Sequence, residues 1–148
     1  DEPFAVLLAD DFLVDYPNGV TADLVHSFSL TGNSQISVME VNGPDISKYG
    51  VVVPAKEKRG IAGLIEKPEA SEAPSNLASI GRYVLTPDIF ETLRGLSVGS
   101  GNEIQLADAR KVQVQRGSVE TVRFNGPRFY CGSVDGFSMR LFMNIISV

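Results

Sequence analysis

The stretch Phe4-Ala5-Val6-Leu7-Leu8-Ala9 is continuously apolar, is cut off by Asp10-Asp11, and is followed after one helix length by a second strand-like stretch, Gln35 to Val41. An unbroken apolar run of this kind predicts a strand covered on both faces, the habit of strands in parallel sheets. Between the two stretches, Thr21 is placed to cap a helix whose apolar face is Leu24, Val25 and Phe28 and which stops at Gly32-Asn33. Strand, helix, strand in that order is a βαβ unit, whose crossover sets the strands parallel with the helix on one face. A chain that opens this way is committed to an α/β sheet. In open α/β sheets ligands gather beyond the carboxyl ends of strands, so charges placed there mark a site. Leu64-Ile65-Glu66-Lys67-Pro68 repeats the opening design, an apolar strand ending in charge. Asp10, Glu66 and Lys67 are therefore the first candidates.

The remaining elements follow from turn chemistry. After Asn42-Gly43-Pro44, Tyr49 to Val53 and Ile61 to Ile65 flank the charged Lys56-Glu57-Lys58-Arg59-Gly60, which predicts a hairpin with a solvated tip. Pro68 and Pro74 bound a surface loop leading into a strand from Ala78 to Leu85. Thr86-Pro87-Asp88 reads as an N-cap, a first-turn proline and an acid on the positive end of a helix dipole, with Ile89, Leu93 and Leu96 on the buried face. Beyond Gly99-Ser100-Gly101 a further helix is expected around Glu103 to Gln115, then an alternating strand from Val119 to Phe124. The closing Phe137 to Val148 has helical spacing but is apolar on nearly every side, so it needs burial.

Bulk properties narrow the class. A chain of 148 residues with 43% hydrophobic residues is one domain, residues 1–148, with a genuine core. The single cysteine, Cys131, cannot pair within the chain and suits a reducing, cytoplasmic setting. A net charge of −5 argues against a nucleic-acid partner, which needs a cationic face. No apolar stretch approaches the length of a membrane span. The first residue is Asp1, standing just before a strand, which suggests a start produced by cleavage, excision or incomplete sequencing.

Adjacent acids at a strand end suit magnesium, which takes oxygen ligands and often keeps waters beside one or two carboxylates and substrate phosphates. Asp10 is the better candidate and Asp11 the spare; a turn or cap role is the plain alternative. In Glu66-Lys67-Pro68 the carboxylate can grip a sugar hydroxyl while the ammonium meets a phosphate, against the plainer reading of a strand end with an ion pair. Cys131 and His26, far apart in sequence, make no nucleophilic pair and are assigned to core packing.

Taken together, Phe4 to Asp11, Thr31-Gly32-Asn33-Ser34-Gln35-Ile36, Lys48 to Val52, Ile65 to Pro68, Ala73 to Ala78, Gly81-Arg82-Tyr83-Val84-Leu85, Asn102 to Ala109 and Cys131-Gly132 resemble the bacterial UTP-glucose-1-phosphate uridylyltransferases of the sugar nucleotidyltransferase family, in the family's order and spacing. The resemblance implies part of a Rossmann-like nucleotide-diphospho-sugar transferase fold, a mixed, mostly parallel sheet flanked by helices. It also implies joining of UTP to glucose 1-phosphate, giving UDP-glucose and pyrophosphate. By the same carry-over Asp10 binds Mg2+, Lys67 neutralises phosphate as the second catalytic residue, and Tyr49, Gly50, Glu66 and Glu103 lie against the sugar.

Two departures bear on that picture. The family's Gly-x-Gly-Thr-Arg nucleotide segment, which precedes its equivalent of Asp10, is not among these residues. Where the family has an Asp before Cys-Gly as second metal ligand, this chain has Tyr130, a neutral phenol and a poor ligand. Asp135 follows too late to replace it. These residues alone are therefore expected to lack turnover and to bind glucose 1-phosphate or UDP-glucose weakly. The competing readings are a non-enzymatic remnant acting in binding or assembly, and a nucleotide-sugar-dependent glycosyltransferase, against which Glu66-Lys67-Pro68 and Asn102 to Leu106 speak. An open strand edge and the apolar Phe137, Leu141, Phe142, Ile145 and Ile146 predict a homo-oligomer.

Overall fold

The computed structural model describes residues 2–14, 18–56, 60–98 and 102–132, together with Val134 and Ser138. The apolar C-terminal segment, Asp135, most of the charged hairpin tip and the Gly99-Ser100-Gly101 linker lie outside the described residues.

A long central strand, β6 (Leu77–Leu85), organises the main sheet. One edge of β6 pairs antiparallel with β3 (Ser34–Glu40), which pairs parallel with β7 (Val119–Arg123). The other edge is divided. β1 (Phe4–Leu7) takes its end, from Phe4↔Leu85 to Leu7↔Arg82, and β4 (Gly50–Pro54) takes its beginning at Val51↔Ala78. β4 and β5 (Ile61–Glu66) form the expected antiparallel hairpin, which meets β7 again where Gly60 bridges Glu120. A separate antiparallel ribbon joins β2 (Asp11–Leu13) to β8 (Arg128–Tyr130).

The mixed sheet flanked by helices is as expected, and β1 and β3 do run parallel to each other. They are not neighbours, however, because β6 lies antiparallel between them, and β3–β7 is the one parallel pairing among the described strands. The expectation of a mostly parallel sheet is corrected on this point: a crossover fixes relative direction, not adjacency.

Helices cover both faces of the sheet. α1 (Val20–Thr31) packs Val20 and Leu24 on Ile80, Val84 and Phe124. On the other face, α2 (Asp88–Gly95) and α3 (Leu106–Gln115) place Ile89, Ala109 and Val114 against Ile36, Val38, Val52, Tyr83 and Leu85. Successive β6 residues Tyr83, Val84 and Leu85 thus reach opposite cores, which explains the unbroken apolar sequence there. β1 behaves differently from its sequence: Phe4 and Val6 pack inward, while Leu7 is 56% exposed, so only one face is covered among the described residues.

Three local expectations shift. Gly19, at φ +77°, precedes α1 in place of Thr21, a backbone glycine adopts without strain. α2 begins at Asp88, and the Thr86 hydroxyl bonds the Asp88 side chain rather than a helix N–H. α1 buries Val20, Leu24 and Ser27, leaving Val25 and His26 exposed; core packing of His26 is therefore corrected. Cys131 is half-buried.

Candidate functional site

Where β1 and β4 part along β6, the strand positions Ser79 to Gly81 face no continuous neighbour, and a cleft of about 660 Å³ opens. The end of β1, the start of β4, the end of β5 and α3 converge on it. Asp10, Tyr49, Gly50, Glu66 and Lys67 all line this cleft, together with Asp11, Lys48, Ser79, Gly81, Tyr83, Arg110, Arg128 and Tyr130. Glu103 does not. α3 starts only at Leu106, leaving Glu103 exposed on the preceding loop, where its Oε2 accepts from Gln105 Nε2 at 3.4 Å.

The two acids at the β1 end have different partners. Asp11 is buried: its Oδ2 accepts the Gly81 N–H at 2.6 Å and its Oδ1 pairs with Arg128 Nε at 2.5 Å. Gly81 permits this, since a Cβ there would stand 2.8 Å from both Asp11 Cβ and Oδ2, and 2.9 Å from Leu8 Cβ. Asp10 is half-buried, and its backbone carbonyl accepts from Cys131 N at 2.6 Å. Tyr130 lies opposite Asp11 in the β2–β8 register and is exposed to the cleft.

Arg128 ties this wall to the next. Its Nη1 donates to the Tyr49 hydroxyl at 2.8 Å, and its guanidinium stands 5.0 Å from the Tyr49 ring centroid. On the far wall, Gly50 faces Glu66 across the hairpin, where a Cβ would meet Glu66 Oε2 at 2.9 Å. The small residue lets the carboxylate lie against the backbone. Lys67 follows at φ +47°, with its N–H donated to the Tyr49 carbonyl at 2.9 Å. Left-handed backbone at a non-glycine residue is costly, and the residue before a proline is normally extended, so this strain marks a position held by its surroundings.

Arg110 and Arg128 were not among the candidates read from sequence. Arg110 directly follows the Asn102 to Ala109 motif and Arg128 stands three residues before Cys131, each just outside a recognisable motif. Arg128-Phe129-Tyr130 is too short to show alternation.

A fit for magnesium rests on the donors present. Among the described residues no group of three or more His, Cys, Asp or Glu side chains is placed to hold a metal. Asp11 is already committed to Arg128 and Gly81, and Tyr130 offers a phenol. What remains is the Asp10 carboxylate, enough for a water-rich ion completed by substrate phosphates.

The family described as nucleotidyl transferase matches residues 1–126. A UTP-glucose-1-phosphate uridylyltransferase of Pseudomonas aeruginosa is 43% identical over 141 residues, covering 93% of this chain and 50% of that protein. One from Staphylococcus epidermidis is 44% identical over 140 residues, covering 93% and 48%. A solved UDP-glucose pyrophosphorylase complexed with UDP-glucose superposes with a TM-score of 0.88 at 38% identity, covering 99% of this chain and 57% of that one. The apo form of such an enzyme gives 0.85 at 41%, covering 92% and 51%. The chain spans about half the length of the curated relatives it matches.

Proposed function

Since this chain belongs to the nucleotidyl transferase family, we propose that its cleft is the sugar-phosphate side of a uridylyltransferase site that makes UDP-glucose from UTP and glucose 1-phosphate. The observation that carries this reading is the pair Glu66 and Lys67, side by side at the end of β5 and in the same cleft as Asp10.

Glu66 accepts hydrogen bonds from sugar hydroxyls, and Gly50 lets that carboxylate lie close against the β4 backbone. Lys67 holds the phosphate of glucose 1-phosphate and offsets its charge as a phosphate oxygen attacks the α-phosphorus of UTP. In that step a new phosphorus–oxygen bond forms, the bond between the α- and β-phosphates breaks, and pyrophosphate leaves. There is no covalent enzyme nucleophile to supply, so the contribution of these residues is position and charge. Asp10 would hold magnesium, which when bound neutralises phosphate charge and orients the leaving group.

Titration with UDP-glucose tests this reading. Weak binding that Glu66→Ala reduces supports it; an affinity untouched by Glu66→Ala refutes the assigned role. Residues 1–148 alone, mixed with UTP, glucose 1-phosphate and magnesium, are expected to release no pyrophosphate, because they contain no Gly-x-Gly-Thr-Arg segment. Steady turnover would overturn that expectation.

Tyr130 favours a second reading, ligand binding without turnover, since it leaves Asp10 without a second carboxylate. Tyr130→Asp discriminates. If the phenol is what weakens the metal, the substitution tightens magnesium binding; if binding is unchanged, Tyr130 is not the cause.

A further inference from the structure

The cleft contains four ionic side chains for which no ion pair exists among the described residues: Asp10 and Glu66, and against them Lys67 and Arg110. Arg110 is the unusual member. It projects from α3, is only 8% exposed, and yet makes no ion pair among the described residues. Its Nη1 donates to Ser79 Oγ at 3.1 Å, its guanidinium carbon stands 4.3 Å from the Tyr83 ring centroid, and its Nε is buried with no hydrogen-bond partner among the described residues.

Nothing in the packing of α3 requires a guanidinium there. Ala109, Gln113 and Val114 already seat the helix on the sheet, and Ser79 and Tyr83 are neutral. Taking a charge out of water without a counter-charge is expensive, and a neutral hydroxyl with an aromatic face compensates only in part. Arg110 lines the cleft beside Ser79 and Tyr83, so a ligand in the cleft can supply the counter-charge.

The geometry points to Arg110 as a phosphoryl-binding residue of the cleft, one that shares the substrate's phosphate with Lys67. This deepens the sugar-phosphate reading above and rests on it for the identity of the ligand. A phosphate offers several oxygens, so two cations from different elements, the β5 end and α3, can hold it at once. Lys67 acts as a mobile point charge, and Arg110 as a planar fork already aimed by Ser79 and Tyr83. A neutral sugar would leave both cations unmatched. Glu66 is then left for the sugar hydroxyls.

The test follows the Arg110 Nε–H resonance by nuclear magnetic resonance while inorganic phosphate, glucose 1-phosphate, glucose or glucuronate is added to the 148-residue chain. Phosphate and glucose 1-phosphate should shift the resonance, glucose should not, and Arg110→Gln should weaken phosphate binding about tenfold while leaving the rest of the spectrum dispersed. Arg110→Lys, which keeps the charge without the fork, should retain part of the affinity and so shows that any loss in Arg110→Gln is not misfolding. A larger shift with glucuronate than with phosphate would overturn the phosphoryl assignment, and equal affinities in wild type and Arg110→Gln would overturn the role altogether. If Glu66→Ala weakens UDP-glucose binding and Arg110→Gln does not, the sugar-phosphate reading stands and this inference fails. If phosphate moves Arg110 but UDP-glucose does not bind, this inference stands and the identity of the ligand falls.

Discussion

On the wall formed by the β1 end and β8, Asp11 and Arg128 close on each other at 2.5 Å, with side chains 4% and 10% exposed. On the wall formed by β4, β5 and α3, Glu66, Lys67 and Arg110 lie around the same opening with no ion pair among the described residues. The first wall has satisfied its charges internally and acts as a strut; the second leaves them for a ligand. Charge at a strand end is thus not one signal but two, and burial with a partner separates them. Asp10 and Asp11 show the split within a single dipeptide, since only Asp11 is buried against a cation.

If the first wall is a strut, breaking it should cost the most. Arg128→Ala or Asp11→Ala leaves a buried charge unpaired and should lower unfolding free energy by about 3–5 kcal/mol, read by urea denaturation. A loss near zero would mean that the pair is solvated and the distinction between the walls is false. Gly81→Ala attacks the same wall through sterics, forcing a methyl to within 2.8 Å of Asp11, and should cost about 1–3 kcal/mol in the same assay.

The second wall should respond in the opposite sense. Lys67→Gly removes a left-handed backbone strain of about 1–2 kcal/mol, partly offset by the about 0.4–1 kcal/mol of added unfolded-state freedom. The variant should therefore be slightly more stable and bind phosphate less tightly. A destabilised Lys67→Gly would show that the lysine is structural.

The smallest effect lies with Lys48, an exposed residue of the cleft lining. The Asp45 hydrogen bond to Lys48, and then its negative charge, hold the Lys48 pKa above the usual lysine value. A raised folded value means that the contribution is present below the unfolded pKa and is lost as pH rises through the folded one. Stability against pH should therefore show a slight alkaline decline that Asp45→Asn lacks. Because the pair is exposed at both ends, high salt should erase the difference.

Much of this was legible in the sequence because strands, helices and turns have local signatures. The apolar runs at 4–9 and 78–85, the hairpin around 51–65 and the Gly32 stop of α1 all appear near their expected places. Strand adjacency was not legible. Nothing local in Leu77–Leu85 says that it inserts between β1 and β3, or that β1 and β4 divide its other edge and leave the gap at Ser79 to Gly81 on which the cleft depends. The candidates carried by a motif, Asp10, Tyr49, Gly50, Glu66 and Lys67, meet in the cleft, whereas Glu103 does not. Arg110 escaped because it stands in the helix expected around Glu103 to Gln115, just past the Asn102 to Ala109 motif, where a guanidinium usually passes for a solvated residue.

The most direct measurement is a UDP-glucose titration of the uniformly labelled chain, with every backbone amide followed by nuclear magnetic resonance. Shifts concentrated at Tyr49, Gly50, Glu66, Lys67, Ser79 and Gly81, with α1 and the outer face of β7 unmoved, are the predicted result. Shifts clustered away from the gap in β6, or none at millimolar ligand in a well-dispersed spectrum, would contradict the assignment of this cleft as the sugar-phosphate site.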